Sequence, residues 1–228
     1  MAETRFITAA DGARIAYDVS GRGPALMLLH GFGNSRLIWH GWVEHLDGDF
    51  SVIAVDLRGC GESEAPLDPA RYSPAAHLAD LHQIADACGA ARFGLIGFSW
   101  GATVARYLAA HSERVTRAVL IGTYFGQYFT GAYLARLLEN YSGNPLQTAR
   151  VQGLRAWPGI EAAELRCPTL VITGSEDGNV VKMLRLQREV VEAAGIGLEI
   201  FEGLDHGGLI ETVDTVLPRV RAFVEASG

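Results

Sequence analysis

The sequence predicts an α/β fold, a mostly parallel, twisted sheet flanked by helices, and three observations predict it. Short continuous apolar runs recur along the chain, as in Ala25 to His30, Ser51 to Asp56 and Phe93 to Gly97, which is the composition of strands buried on both faces. Segments of helical periodicity lie between most of these runs, and such alternation builds a parallel sheet with crossover helices. The chain has 228 residues, 49% of them hydrophobic, enough for one substantial core.

The elements follow in order. Thr4 to Ala9 and Arg14 to Val19 alternate in polarity around Asp11-Gly12 and read as an opening β-hairpin. The apolar run Ala25 to His30 comes next, followed by Ser51 to Asp56, Phe93 to Gly97, Val115 to Gly122, Thr169 to Thr173 and Gly197 to Phe201. Ser73-Pro74 opens a helix with apolar residues at Leu78, Leu81, Ile84 and Cys88, and Gly89 closes it. Val180 to Ala194, closed by Gly195, reads as one helix. Leu209 to Ala226 reads as a final helix, with Pro218 the expected point of any bend or split.

One interval interrupts the alternation. Residues 123–166 carry Tyr124, Phe125, Tyr128, Phe129, Tyr133, Tyr141 and Trp157 between two strands. An insertion at the carboxyl end of a strand lies over the crevice where open α/β sheets bind ligands. The expected organisation is therefore a core of residues 1–122 and 167–228 with a short helical cap, 123–166. Its rings can line a substrate site or simply pack the cap onto the core.

Bulk composition excludes some classes. The formal charge is −7, and Lys182 is the only lysine, so neither nucleic acid nor an anionic membrane is an expected partner. Met1 to Phe6 has no basic start leading into an apolar stretch, and no run approaches membrane-spanning length; a soluble, cytoplasmic protein is the expectation. Cys60, Cys88 and Cys167 form neither a metal-ligand spacing nor a paired framework, so no metal and no cofactor are expected. Cys60, in a loop, is the thiol expected to be accessible. Nothing in the composition specifies an oligomeric state.

The chemistry centres on Gly97-Phe98-Ser99-Trp100-Gly101, set between an apolar strand and a helical stretch. This composition yields the pattern G-x-S-x-G by chance about 0.14 times, so the strand-turn-helix setting is what makes Ser99 a nucleophile candidate. Gly61-Glu62-Ser63-Glu64-Ala65 nearly repeats the pattern in a charged loop and is read as a turn. A serine hydroxyl needs a base to take its proton, and that base is usually a histidine oriented by a carboxylate. Of the seven histidines, His206 follows the last strand at the same sheet edge as Ser99. His40, His45, His77, His82 and His111 fall in or beside helices and are expected at surfaces or caps. Asp177, just past the preceding strand, is the candidate carboxylate, with Glu176 and Asp205 as competitors. Leu29-His30-Gly31-Phe32-Gly33 supplies a sharp turn from which the Phe32 amide, with that of Trp100, can form an oxyanion hole. Phe32, Trp100, Tyr124, Phe125 and Tyr128 are the residues expected to contact substrate.

Five segments taken together resemble the α/β-hydrolase superfamily: Leu29 to Gly33, Asp56-Leu57-Arg58-Gly59-Cys60-Gly61-Glu62-Ser63, Gly97 to Gly101, Pro168 to Gly174, and Asp205-His206-Gly207. The resemblance spans nearly the whole chain and is nearest to small carboxylesterases and their cofactor-free perhydrolase relatives. It implies Ser99 as nucleophile, His206 as general base and then acid, Asp177 as its partner, and Phe32 and Trp100 as backbone oxyanion donors. It gives His30, Asp56 and Arg58 structural roles. Epoxide hydrolases and haloalkane dehalogenases of this fold carry Asp at the elbow, whereas position 99 is Ser. The implied activity is hydrolysis of small to medium apolar carboxylic esters through an acyl-enzyme. Lactone hydrolysis, carbon–carbon bond hydrolysis and perhydrolysis use the same residues and stay open, as does a low-turnover ligand-binding protein on the same scaffold.

Overall fold

The computed structural model describes residues 3–127 and 129–226. The chain opens with β1 (Glu3–Thr8) and β2 (Arg14–Ser20), continues through β3 (Ala25–Leu29), α1 (His40–Leu46), β4 (Ser51–Val55) and α2 (Pro74–Ala87), and reaches β5 (Phe93–Phe98), α3 (Trp100–His111) and β6 (Val115–Ile121). The segment after β6 carries α4 (Gly131–Asn140) and α5 (Pro145–Gly153). Then come β7 (Thr169–Gly174), α6 (Gly178–Leu186), α7 (Arg188–Ala193), β8 (Gly197–Phe201), α8 (Gly208–Glu211) and α9 (Val213–Glu225).

The eight strands form one sheet in the order β1-β2-β4-β3-β5-β6-β7-β8. The first hairpin is antiparallel and β2 meets β4 antiparallel; from β4 onward every pairing is parallel. Successive residues of a strand face opposite sides, so Met27 and Leu29 enter one apolar cluster while Leu26 and Leu28 enter the other. The first cluster is completed by Leu81 and Ile84 of α2, Val104 and Leu108 of α3, and Val151, Leu154 and Trp157 of the segment after β6. The second takes Trp39, Trp42 of α1, Leu209 of α8 and Val216 of α9. This places the carboxyl ends of β3, β5, β7 and β8 along one edge, where open α/β sheets carry their ligands.

Three expectations change. The stretch expected as one helix, Val180 to Ala194, is two, broken at Gln187. There the Gln187 amide both donates to the Phe125 carbonyl and accepts from the Phe125 N–H, a tertiary clamp that helical periodicity does not reveal. The last helix breaks at Thr212 and not at Pro218, which sits inside α9. Cys60 is buried, whereas Cys88 and Cys167 are partly exposed. Among the described residues no helix is long and apolar enough to cross a membrane.

Candidate active site

Ser99 links β5 to α3 with φ 54° and ψ −110°, and it is the one non-glycine residue with positive φ among those described. Holding serine there costs about 1–3 kcal/mol, which neighbouring packing must offset. The flanking glycines explain why the turn fits. A Cβ on Gly97 would lie 2.4 Å from the Gly101 carbonyl oxygen, and one on Gly101 would lie 2.0 Å from that of Leu29. The Ser99 N–H donates to the Ile121 carbonyl at 2.8 Å, which ties the elbow to the neighbouring strand.

His206 and Asp177 meet from the loops after β8 and β7. Nδ1 of His206 lies 2.9 Å from Oδ1 of Asp177, and the other Asp177 oxygen accepts from Thr173 Oγ1 at 3.1 Å. An ionised carboxylate is only an acceptor, so Nδ1 carries the proton and Nε2 keeps its lone pair. Of the competitors, Asp205 is engaged elsewhere, its Oδ1 accepting from the Gly208 N–H, and among the described residues the hydrogen bond from His206 Nδ1 goes to Asp177 and not to Glu176. The imidazole is 40% exposed and lies against Phe98, with ring centroids 4.9 Å apart. Gly122 at the end of β6 makes room for it, since a Cβ there would come within 2.7 Å of His206 Cε1. Ser99 Oγ has no hydrogen bond to His206 among the described residues, and such bonds often close only when substrate is present.

The turn after β3 touches the elbow, because a Cβ on Gly31 would lie 3.4 Å from that of Ser99. His30 anchors it: the Leu57 N–H donates to Nε2 at 3.1 Å, leaving the proton on Nδ1 for the Gly31 carbonyl at 2.7 Å. Burial holds this imidazole down to about 4, so it stays neutral. Among the described residues, the amides of Phe32 and Trp100 donate no hydrogen bond to other protein groups. Asp56 is buried and accepts from Arg36 and from the Glu62 N–H. Ser63, in the near-repeat of the motif, bonds the Ala16 N–H and the Asp56 carbonyl, clamping a turn.

The segment after β6 contributes rings beyond those expected. Trp157 packs edge-on to Trp100 at 4.6 Å, Phe129 lies 5.6 Å from Trp100, and Tyr141 lies 6.1 Å from Phe32. His77, expected at a surface or cap, is buried between Trp100 and Trp157. Its spacing to Leu81 and Ile84 puts it on the apolar stripe of α2, a signal present in the sequence. Tyr124 gives its carbonyl to Arg106, and Phe125 is buried and joined to Gln187. Tyr128 lies outside the described residues. A cavity of 390 Å³ opens beside Asp177 and His206; a larger one, 870 Å³, lies away from them between β2 and α1. No cluster of metal-ligating side chains occurs among the described residues.

Comparison with known proteins agrees with the fold. The profile of the alpha/beta hydrolase fold matches residues 24–158. The chain belongs to this family. It is 34% identical to mouse epoxide hydrolase 4 over 122 residues, covering 52% of this chain and 34% of that protein. It is 33% identical to the soluble epoxide hydrolase of a Corynebacterium species over 111 residues, covering 49% and 38%. The chain thus spans about a third to a half of the length of the curated relatives it matches. The structure of an esterase from a Rhodococcus species aligns over 99% of both chains with a TM-score of 0.74 and 26% identity.

Proposed function

We propose that this α/β hydrolase is a serine carboxylic ester hydrolase working through an acyl-enzyme. The observation that carries the reading is the Asp177–His206 pair at 2.9 Å, on loops at the same sheet edge as the strained Ser99 elbow. Ser99 Oγ attacks the ester carbonyl carbon while its proton passes to His206 Nε2. The alkoxide leaves with that proton, and Asp177 stabilises the imidazolium between the two transfers. The Phe32 and Trp100 amides hold the oxyanion, a role open to them because among the described residues no other protein group takes those donors. Water, activated by His206, then attacks the acyl carbon, releases the acid and returns the proton to Ser99.

Residues 123–166 serve as a cap over this edge, with Tyr141, Phe129 and Trp157 as walls for the apolar part of a small to medium acyl group. Position 99 carries Ser, a nucleophile suited to forming an acyl-enzyme from an ester carbonyl. The test is stoichiometric labelling by a fluorophosphonate, located by peptide mass, together with turnover of 4-nitrophenyl butyrate. We expect one label on Ser99 and loss of both signals in Ser99→Ala. A Ser99→Ala variant that still turns over the ester refutes the assignment.

A further inference from the structure

We propose that Arg150 is a substrate-recognition residue whose guanidinium holds a free carboxylate on the acyl chain, making half-esters of short dicarboxylic acids the preferred substrate class. The proposal rests on Ser99 as the nucleophile and replaces the expectation of a wholly apolar substrate.

Arg150 projects from α5 and is 4% exposed, yet no carboxylate lies within 4 Å of it among the described residues. Its hydrogen-bond partners are neutral: Nη1 donates to Gln147 Oε1 at 3.1 Å and Nη2 to Cys60 Sγ at 3.0 Å. The guanidinium lies 4.1 Å over the Phe32 ring. Burial raises the Cys60 thiol, so it is no counter-ion at neutral pH. The other ionisable groups that feel this charge are neutral too, with His30 and His77 held down to about 4 and Tyr72 pushed up to about 12, each by burial. The nearby Asp56 is already bonded to Arg36.

A buried cation without an acid is costly, and a ring face with two neutral acceptors offsets only part of that. Of the three other buried arginines among the described residues, Arg106 donates to the Tyr124 and Gly126 carbonyls, while two are paired with acids. Arg36 has Asp18, Asp56 and Glu62, and Arg58 has Asp11 and Asp80. A guanidinium carries five N–H donors in a planar fork that matches a carboxylate. The location points to the substrate as the source of that acid. Arg150 rests on the ring of Phe32, the residue whose backbone amide is the oxyanion donor beside Ser99, so a short acyl chain along that ring joins the two points.

The test compares 4-nitrophenyl pentanoate with mono-4-nitrophenyl succinate, each kcat/KM divided by the ester's own hydroxide-catalysed rate. We expect the wild-type ratio to favour the succinyl ester by about tenfold or more, with Arg150→Gln removing that preference and Arg150→Lys keeping part of it. Arg155→Gln, exposed on the same segment, leaves the ratio unmoved. If both esters slow together in Arg150→Gln with the ratio intact, Arg150 is a packing residue and the proposal is wrong. Calorimetric titration with succinate reads the site without turnover: binding at least fivefold weaker in Arg150→Gln or Arg150→Lys supports it, and equal binding overturns it. Should Ser99 take no fluorophosphonate label, the hydrolase reading fails on its own, and the titration still decides Arg150.

Discussion

Arg58 and Arg150 are both almost fully buried, at 3% and 4% exposure, but one belongs to the sheet body and the other to the segment after β6. In the body, Arg58 meets Asp80 at 2.5 Å and 2.8 Å and Asp11 at 2.6 Å. In the segment, Arg150 meets a ring, an amide oxygen and a thiol. Arg58 has its counter-charges within the body, where removing either partner would strand the other. In the segment, Arg150 rests on the Phe32 ring with neutral hydrogen-bond partners, which suits the proposal that its acid arrives with substrate. On that proposal, stability and recognition fall to different buried arginines.

The widest separation is expected at Asp177, a body carboxylate whose neighbours are a threonine and a histidine. Asp177→Asn keeps the size of the side chain but can present an N–H to Nδ1, favouring the wrong tautomer of His206. By analogy with other Ser-His-Asp sites, kcat falls by about 10⁴-fold, measured with 4-nitrophenyl butyrate, while the melting temperature moves little. A large loss of stability with modest loss of kcat would place Asp177 with the scaffold pairs.

Arg58→Met should show the reverse. It leaves Asp80 buried and uncompensated, and destabilisation of about 3–5 kcal/mol is expected in urea unfolding. The effect on kcat of the remaining folded protein should be small. Wild-type stability measured below 1 kcal/mol above that of the variant would erase the contrast between body and segment.

A pH titration sharpens the comparison next. His30 and His77 are held neutral, down to about 4 from an ordinary 6.5, chiefly because burial disfavours their charged forms. Between those values the unfolded chain binds protons that the folded chain refuses, so stability rises with pH in that window. It is fully present above about 6.5 and is lost as pH falls toward 4, by about 3 kcal/mol per histidine. Urea unfolding at intervals across the window checks the slope, and His77→Gln should remove its share. A flat profile would mean that neither histidine is held neutral by the fold.

How much of this was legible in the sequence depends on how local its cause is. The Ser99 elbow was legible because Gly97 and Gly101 answer to backbone contacts within one turn and the adjoining strand. The strands were legible from continuous apolar runs, and the placing of Asp177 and His206 followed from chain order at one sheet edge. The break at Gln187 was not, because its cause is a pair of hydrogen bonds to Phe125, 62 residues away. Cys60 was misplaced for the same reason: the loop thiol is buried and takes a hydrogen bond from Arg150 of α5, 90 residues away. In the sequence, Arg150 stands in Gln147-Thr148-Ala149-Arg150, an ordinary polar helical stretch. Its burial is a property of where the segment lands, so no periodicity announces it.

The smallest expected effect separates the two arginines most directly. Arg150→Met removes a charge without stranding an acid, and methionine can retain apolar contact with Phe32. Replacing a buried charge that has no acidic partner by an apolar side chain avoids its desolvation cost, so the melting temperature should stay level or rise, the change amounting to about 1 kcal/mol or less. Succinate separates the states further, since a ligand that binds only the folded chain raises stability with its concentration. Wild type should gain melting temperature as succinate is added, and Arg150→Met should gain none. If Arg150→Met instead loses as much stability as Arg58→Met, the guanidinium has an internal role equal to that of the scaffold pairs, and the division of labour between body and segment does not hold.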